Sequence, residues 1–145
     1  MPLALQPRLV ELDKPATTWK LQGNDYYKAK NFLAALESYT QGLAECGEVE
    51  DQLRSDLLRN RSIVNLHLQR YEPAAADALT SIHSTSNDAV TIKKNNGKAL
   101  YRAGCALYHQ GEFKKALDHF RQALEKLPND ADCLREIDRT KCRLR

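Results

Sequence analysis

Five side chains in this 145-residue chain combine donor chemistry with helical spacing. Lys20 and Asn24 stand four apart, and so do Lys98 and Arg102. Residues four apart on a helix project from the same side. Asn60, in the stretch Leu57-Leu58-Arg59-Asn60-Arg61-Ser62, falls between the two pairs. Such a set holds a ligand rather than transforming one. Its ammonium and guanidinium groups make charge-assisted hydrogen bonds, and the asparagines add neutral donors that leave the cations uncrowded. Well-formed bonds of this kind contribute about 1.5–3 kcal/mol each. Asn60 is expected between the two pairs, on the face they share.

Taken singly, each residue has a plainer reading. A lysine on a helix is usually solvated, an arginine usually meets a neighbouring carboxylate, and Asn60 also suits a bridge between adjacent helices. Catalytic signatures are missing: there is no phosphate-binding glycine loop, nucleophile elbow or His-Glu-x-x-His pair. The histidines at 67, 83, 109 and 119 have no partner at helical spacing. The cysteines at 46, 105, 133 and 142 form no Cys-x-x-Cys pair, so neither zinc nor a disulfide framework is expected. The expectation is a chain that is not an enzyme, with no catalytic residue, metal or cofactor.

Bulk properties agree with a single soluble domain. Hydrophobic residues make up 42% and charged residues 28%. The net charge is +3 and the pI about 8.7, with bases and acids interspersed, which argues against nucleic acid as a partner. No apolar run approaches the ~18 residues of a membrane span. The opening Met1–Arg8 is too short and polar for a secretion signal. Free cysteines suit a reducing compartment, cytoplasmic or nuclear.

The elements that must position the five residues appear as a repeat. With Gly23, Ser62 and Gly104 as anchors, a large apolar residue precedes each by four: Trp19, Leu58, Leu100. Nine after each comes an aromatic (Phe32, Tyr71, Phe113), and twelve after each an alanine (Ala35, Ala74, Ala116). Sixteen after come Tyr39, Ala78 and Phe120; nineteen after come Gly42, Ser81 and Ala123. Each copy predicts two helices joined by a short turn, at Lys30-Asn31, Gln69-Arg70 and Gln110-Gly111. One such hairpin cannot bury its apolar face alone, so the copies must stack.

These columns resemble the tetratricopeptide repeat, over about residues 16–128. The resemblance implies an all-α fold of three helix-turn-helix repeats in a right-handed superhelix with a C-terminal capping helix. The expected organisation is an arm at 1–15, with a turn of helix near 7–12, repeats at about 16–46, 49–82 and 88–128, and a cap at 129–145. Thr17 or Thr18 is expected to cap the first helix. Asn129 or Asp130 is expected to cap the last, whose Cys133, Leu134, Ile137 and Cys142 cover the final repeat. The second repeat departs from the pattern, with Ser62 for glycine, Asn65 in the Tyr26 column and Ala78 for an aromatic. The anchors lie 39 and 42 residues apart where the family period is 34. The surplus falls at Cys46–Leu53, so that the second repeat's first helix starts near Val49, and at His83–Gly97. In the latter, Asn87 or Asp88 would cap a long helix that Asn95-Asn96-Gly97 breaks or kinks.

Within that family, the sequence is similar to the two-carboxylate-clamp subgroup. It has Lys20-Leu21-Gln22-Gly23-Asn24, then Asn60-Arg61-Ser62, then Lys98-Ala99-Leu100-Tyr101-Arg102. The resemblance implies a monomeric co-chaperone or adaptor module that binds the C-terminal Glu-Glu-Val-Asp tail of heat-shock protein 90 or heat-shock protein 70. Lys20, Asn24 and Asn60 would hold the main-chain carboxylate, Lys98 the last side chain's carboxylate, and Arg102 the peptide further upstream or its carboxylates. Ile63 and Leu66 would floor a pocket for the peptide's valine, Tyr27 would wall it, and His67 would add a pH-sensitive contact. The alternative is a repeat scaffold for a different peptide, or the N-terminal module of a larger protein, including SET-type methyltransferase proteins.

Overall fold

The structure is a computed structural model that describes residues 15–47, 50–82 and 89–145, with side chains from Lys93 onward in the last segment. The described residues form seven α-helices and no strand. They are α1 Pro15–Lys28, α2 Phe32–Glu45, α3 Asp51–His67, α4 Tyr71–Ser81, α5 Ala89–His109, α6 Phe113–Lys126 and α7 Ala131–Arg143. Each helix packs on the next, and α3 also touches both α1 and α5. The first helices of the hairpins therefore share one face. The arm, the turn of helix near 7–12, Val49 and the Asn87/Asp88 cap lie outside the described residues.

Each hairpin turns through one left-handed residue at the same place, seven after the anchor: Lys30 (φ 61°), Gln69 (φ 59°) and Gly111 (φ 80°). Asn31 then caps α2 by accepting from the Ala34 amide at 3.4 Å.

The anchors explain why the hairpins close. A Cβ on Gly23 would lie 2.5 Å from Tyr39 Cε1, and one on Gly104 would lie 2.6 Å from Phe120 Cε1. The aromatic ring of the second helix occupies the space that the glycine leaves. In the middle hairpin both partners change together. Ser62 is fully buried and donates to the Ala74 carbonyl at 2.8 Å, and the facing residue shrinks to Ala78. The two irregularities of the second repeat are one compensated exchange. Asn65, its third irregularity, is buried and donates to Asp77 at 3.2 Å. Asp77 also takes a two-pronged bond from Arg61, at 2.7 and 2.8 Å.

Three expectations need correction. Helix α1 already runs from Pro15, so Thr17 and Thr18 lie within it, and the Thr18 hydroxyl is buried without a partner among the described residues. Proline is tolerated in a first turn, where its missing N–H is no loss. Helix α5 runs unbroken through Asn95-Asn96-Gly97. Gly97 is buried there, and a Cβ on it would lie 2.6 Å from Leu127 Cγ, so this glycine serves close packing rather than a break. On α7, Asp130 is the cap, accepting from the Cys133 amide at 3.0 Å. Cys133 and Ile137 are buried with Glu136 and Thr140, whereas Leu134 is 46% exposed and Cys142 faces outward. Arg139 over Tyr108 and Arg143 over Phe113 complete the contact through their guanidinium faces.

The close approach at the anchors sets a stability prediction. Gly104→Ala forces the Phe120 ring aside and is expected to lower unfolding free energy by about 1–3 kcal/mol in chemical denaturation. Gly111→Ala meets no atom and carries only the backbone strain, about 1 kcal/mol.

Candidate functional site

Helices α1, α3 and α5 bring all five sequence-selected donors to one cavity. Lys20, Asn24, Asn60, Lys98 and Arg102 line a space of about 360 Å³, together with Asp56, Arg59, Asn95 and Ile63. Residues 36 and 38 positions apart in sequence thus converge because three helices share a face.

The amides are pre-set. Asn24 Oδ1 accepts from the Tyr39 hydroxyl at 2.6 Å and from Asn60 Nδ2 at 3.2 Å. With its oxygen occupied twice, the Asn24 amide keeps both N–H donors free for a ligand acceptor. Burial and the neighbouring Tyr27 push the Tyr39 hydroxyl up to about 12, so it stays a donor across the physiological range. The same bond makes Asn60 a bridge between α1 and α3, the plainer role weighed for it, as well as a wall of the cavity.

The cations are crowded and short of partners. Arg102 is largely buried, and its Nη1 meets no hydrogen-bond partner among the described residues. Desolvation and repulsion from Arg59 lower its guanidinium to about 10, still charged at neutral pH. Lys98 is also lowered, by desolvation and then by Lys94, Arg102 and Arg59. An uncompensated buried cation costs folding free energy until an anion satisfies it. Lys20 is different: its Nζ lies 3.4 Å from Asp56 Oδ2, a long ion pair.

A second cavity of about 560 Å³ continues from the first, sharing Ile63, Lys98 and Arg102. Ile63, Leu66, Tyr101 and Leu127 give it an apolar lining, to which His67, Lys94, Asp130 and Asp132 add polar groups. Of the four predicted groove residues, Ile63, Leu66 and His67 line this space. Tyr27 lines neither cavity; its hydroxyl lies 3.3 Å from His67 Nε2, and Phe32 stacks on His67 at 4.3 Å. Tyr27 therefore contacts His67, which lines the cavity, and stands near enough to Arg102 to favour its charge.

Asp56, Arg59, Asn95 and Tyr101 escaped the sequence reading. Their signal was helical spacing: Asp56 lies four before Asn60, Asn95 three before Lys98, and Tyr101 three after it. Among the described residues no cluster of His, Cys, Asp and Glu is placed to hold a metal. No helix among them is long and apolar enough to cross a membrane.

Comparison with known proteins places this geometry. Residues 97–130 match the model of the tetratricopeptide repeat family. The chain is 34% identical over 102 residues to the Hsp70/Hsp90 co-chaperone CNS1 of Saccharomyces cerevisiae, covering 70% of this chain and 24% of that protein. It is 26% identical over 144 residues to a methyltransferase of Gibberella zeae, covering 99% of this chain and 18% of that one. The chain spans about a fifth to a quarter of the length of these relatives. Among solved structures, the myosin chaperone UNC-45 of C. elegans, in complex with an Hsp90 peptide, superposes with a TM-score of 0.77 at 26% identity. That match covers 89% of this chain and 14% of UNC-45.

The doubly bonded Asn24 oxygen yields a prediction. Tyr39→Phe removes one donor and leaves the Asn60 bond, so unfolding free energy is expected to fall by about 1 kcal/mol in a denaturant titration. A loss above ~3 kcal/mol would mean that the hydroxyl supports more than this amide.

Proposed function

We propose that this tetratricopeptide-repeat domain docks the free C-terminus of an acidic peptide, the Glu-Glu-Val-Asp tail of heat-shock protein 90 or heat-shock protein 70, as a co-chaperone or adaptor module. The observation that carries the reading is the convergence of Lys20, Asn24, Asn60, Lys98 and Arg102 on one cavity that keeps a buried guanidinium nitrogen unpartnered. A C-terminal aspartate offers two carboxylates a few ångströms apart. The free Asn24 amide, Asn60 and Lys20 suit the main-chain carboxylate, and Lys98 the side-chain one. Arg102 faces both cavities and suits the peptide as it leaves the first for the second. The apolar floor of the second cavity takes an aliphatic side chain, and no reaction is asked of the domain.

The two relatives with chaperone names support this partner class. The near-complete match to part of a methyltransferase favours a compatible second reading, in which the same docking module serves a longer protein. The co-chaperone relative supports a place of action in the cytoplasm, with the nucleus as the alternative. Ordering a flexible peptide offsets part of the contact energy, so affinity is expected to be modest and to weaken with salt.

The test is calorimetric titration with a peptide ending in Glu-Glu-Val-Asp and with its C-terminal amide. The free acid is expected to bind at least tenfold more tightly, and Lys98→Ala to weaken it by about 1.5 kcal/mol or more. Equal affinity for acid and amide, or no binding of either, overturns the proposal. The pH dependence has a fixed sign. Carboxylate binding needs the protonated cations, so affinity is full at neutral pH. It is lost as pH rises through the Lys98 range, lowered from the ordinary lysine value chiefly by desolvation, and through about 10 for Arg102.

A further inference from the structure

The donor set just described leaves one cation of the cavity unused. Arg59 sits beside Asn60 on α3 and lines the same space. Its side chain is only 15% exposed, and its Nη2 is tied to Asp56 Oδ1 in a close ion pair. Asp56 is itself over-subscribed, accepting also from Lys20 at 3.4 Å and from Gln52 at 3.0 Å. The tether fixes the guanidinium while leaving its Nε and Nη1 without a protein acceptor among the described residues. Arg59 also stands close enough to Lys98 and Arg102 to disfavour the charge of each. Three cations therefore press on one another across the groove.

A charge count defines what would relieve them. Lys20, Arg59, Lys98 and Arg102 face Asp56 alone within the cavity, a surplus of three positive charges. A C-terminal aspartate supplies two negative charges. One positive charge remains in excess, and Arg59, which shares Asp56 with Lys20, is the cation with no ligand contact assigned above. In an extended peptide, side chains alternate sides, so the residue two before the C-terminus projects on the same side as the last. The two lie about 6.6 Å apart at roughly 3.3 Å per residue. An acidic side chain there arrives on the same side of the peptide as the last residue's carboxylate, in the cavity that Arg59 lines.

We propose that Arg59, tethered by Asp56, is a sixth ligand-binding residue of this groove and takes an acidic side chain two residues before the peptide's C-terminal aspartate. The proposal rests on the docking reading above and makes Arg59 a specificity determinant: it selects acidic over neutral residues at that one peptide position. A two-pronged guanidinium–carboxylate contact is also why arginine suits the position better than lysine.

A double-mutant cycle tests it. Wild-type protein and the Arg59→Gln variant are each titrated with peptides ending Glu-Glu-Val-Asp and Glu-Gln-Val-Asp. Wild type is expected to bind the first about five- to tenfold more tightly. Arg59→Gln is expected to bind the two within twofold of each other. Arg59→Lys, which keeps the charge and loses the fork, is expected to fall between them, and it carries the test if the glutamine variant unfolds. A variant that keeps the wild-type preference, or a wild type that binds both peptides equally, overturns the role of Arg59 while leaving the carboxylate clamp standing. No binding of either peptide to wild type overturns both.

Discussion

Two helices cross closely only where one of them gives up a side chain, and at Gly23 that constraint reaches the ligand site. The Tyr39 ring fills the space that Gly23 vacates, and its hydroxyl continues past the glycine to Asn24. One packing contact thus closes the first hairpin and aims the amide that faces the cavity. Gly104 and Phe120 repeat the packing in the third hairpin. The neighbour of Gly104 on the groove side is not an amide but Arg102, one turn of helix from Lys98. The repeat therefore supplies the frame three times, and each copy hangs a different donor on it.

The site holds its charge at a cost. Lys98 and Arg102 are both less basic than usual because burial and their neighbours disfavour the charged form. Such a groove is pre-organised in the sense that matters for binding: the cations are positioned and partly desolvated before the ligand arrives. Asp56 moderates the arrangement, pairing with Lys20 and Arg59 at one end. At the other end Asp130 and Asp132 line the adjoining cavity, but neither pairs with Lys98 or Arg102 among the described residues. A ligand that brings carboxylates to that end gains most.

The repeat columns and the five donors were legible in the sequence because both depend on spacing alone, and helical spacing survives folding. Turn positions were legible for the same reason, each falling seven residues after its anchor. What escaped depends on partners. Ser62 and Ala78 read as two defects, although in space they are one exchange of volume. Gly97 reads as a breaker, yet it is the contact point for Leu127 from another helix. Tyr27 reads as a groove wall, but it turns towards His67. Arg59 was passed over because it belongs to no motif; its importance comes from Asp56 one turn away and from cations on α5.

The central claim is that an anion's carboxylates satisfy the donors that the fold leaves open. Side-chain NMR of the Asn24 and Asn60 amides and the Arg102 guanidinium, followed while a free-acid Glu-Glu-Val-Asp peptide is added, tests it most directly. Large shifts of the Asn24 Nδ2 and Arg102 Nη resonances are expected, saturating with peptide, and small ones with the C-terminal amide. Saturable binding that leaves these resonances in place, with shifts confined to other helices, would contradict it.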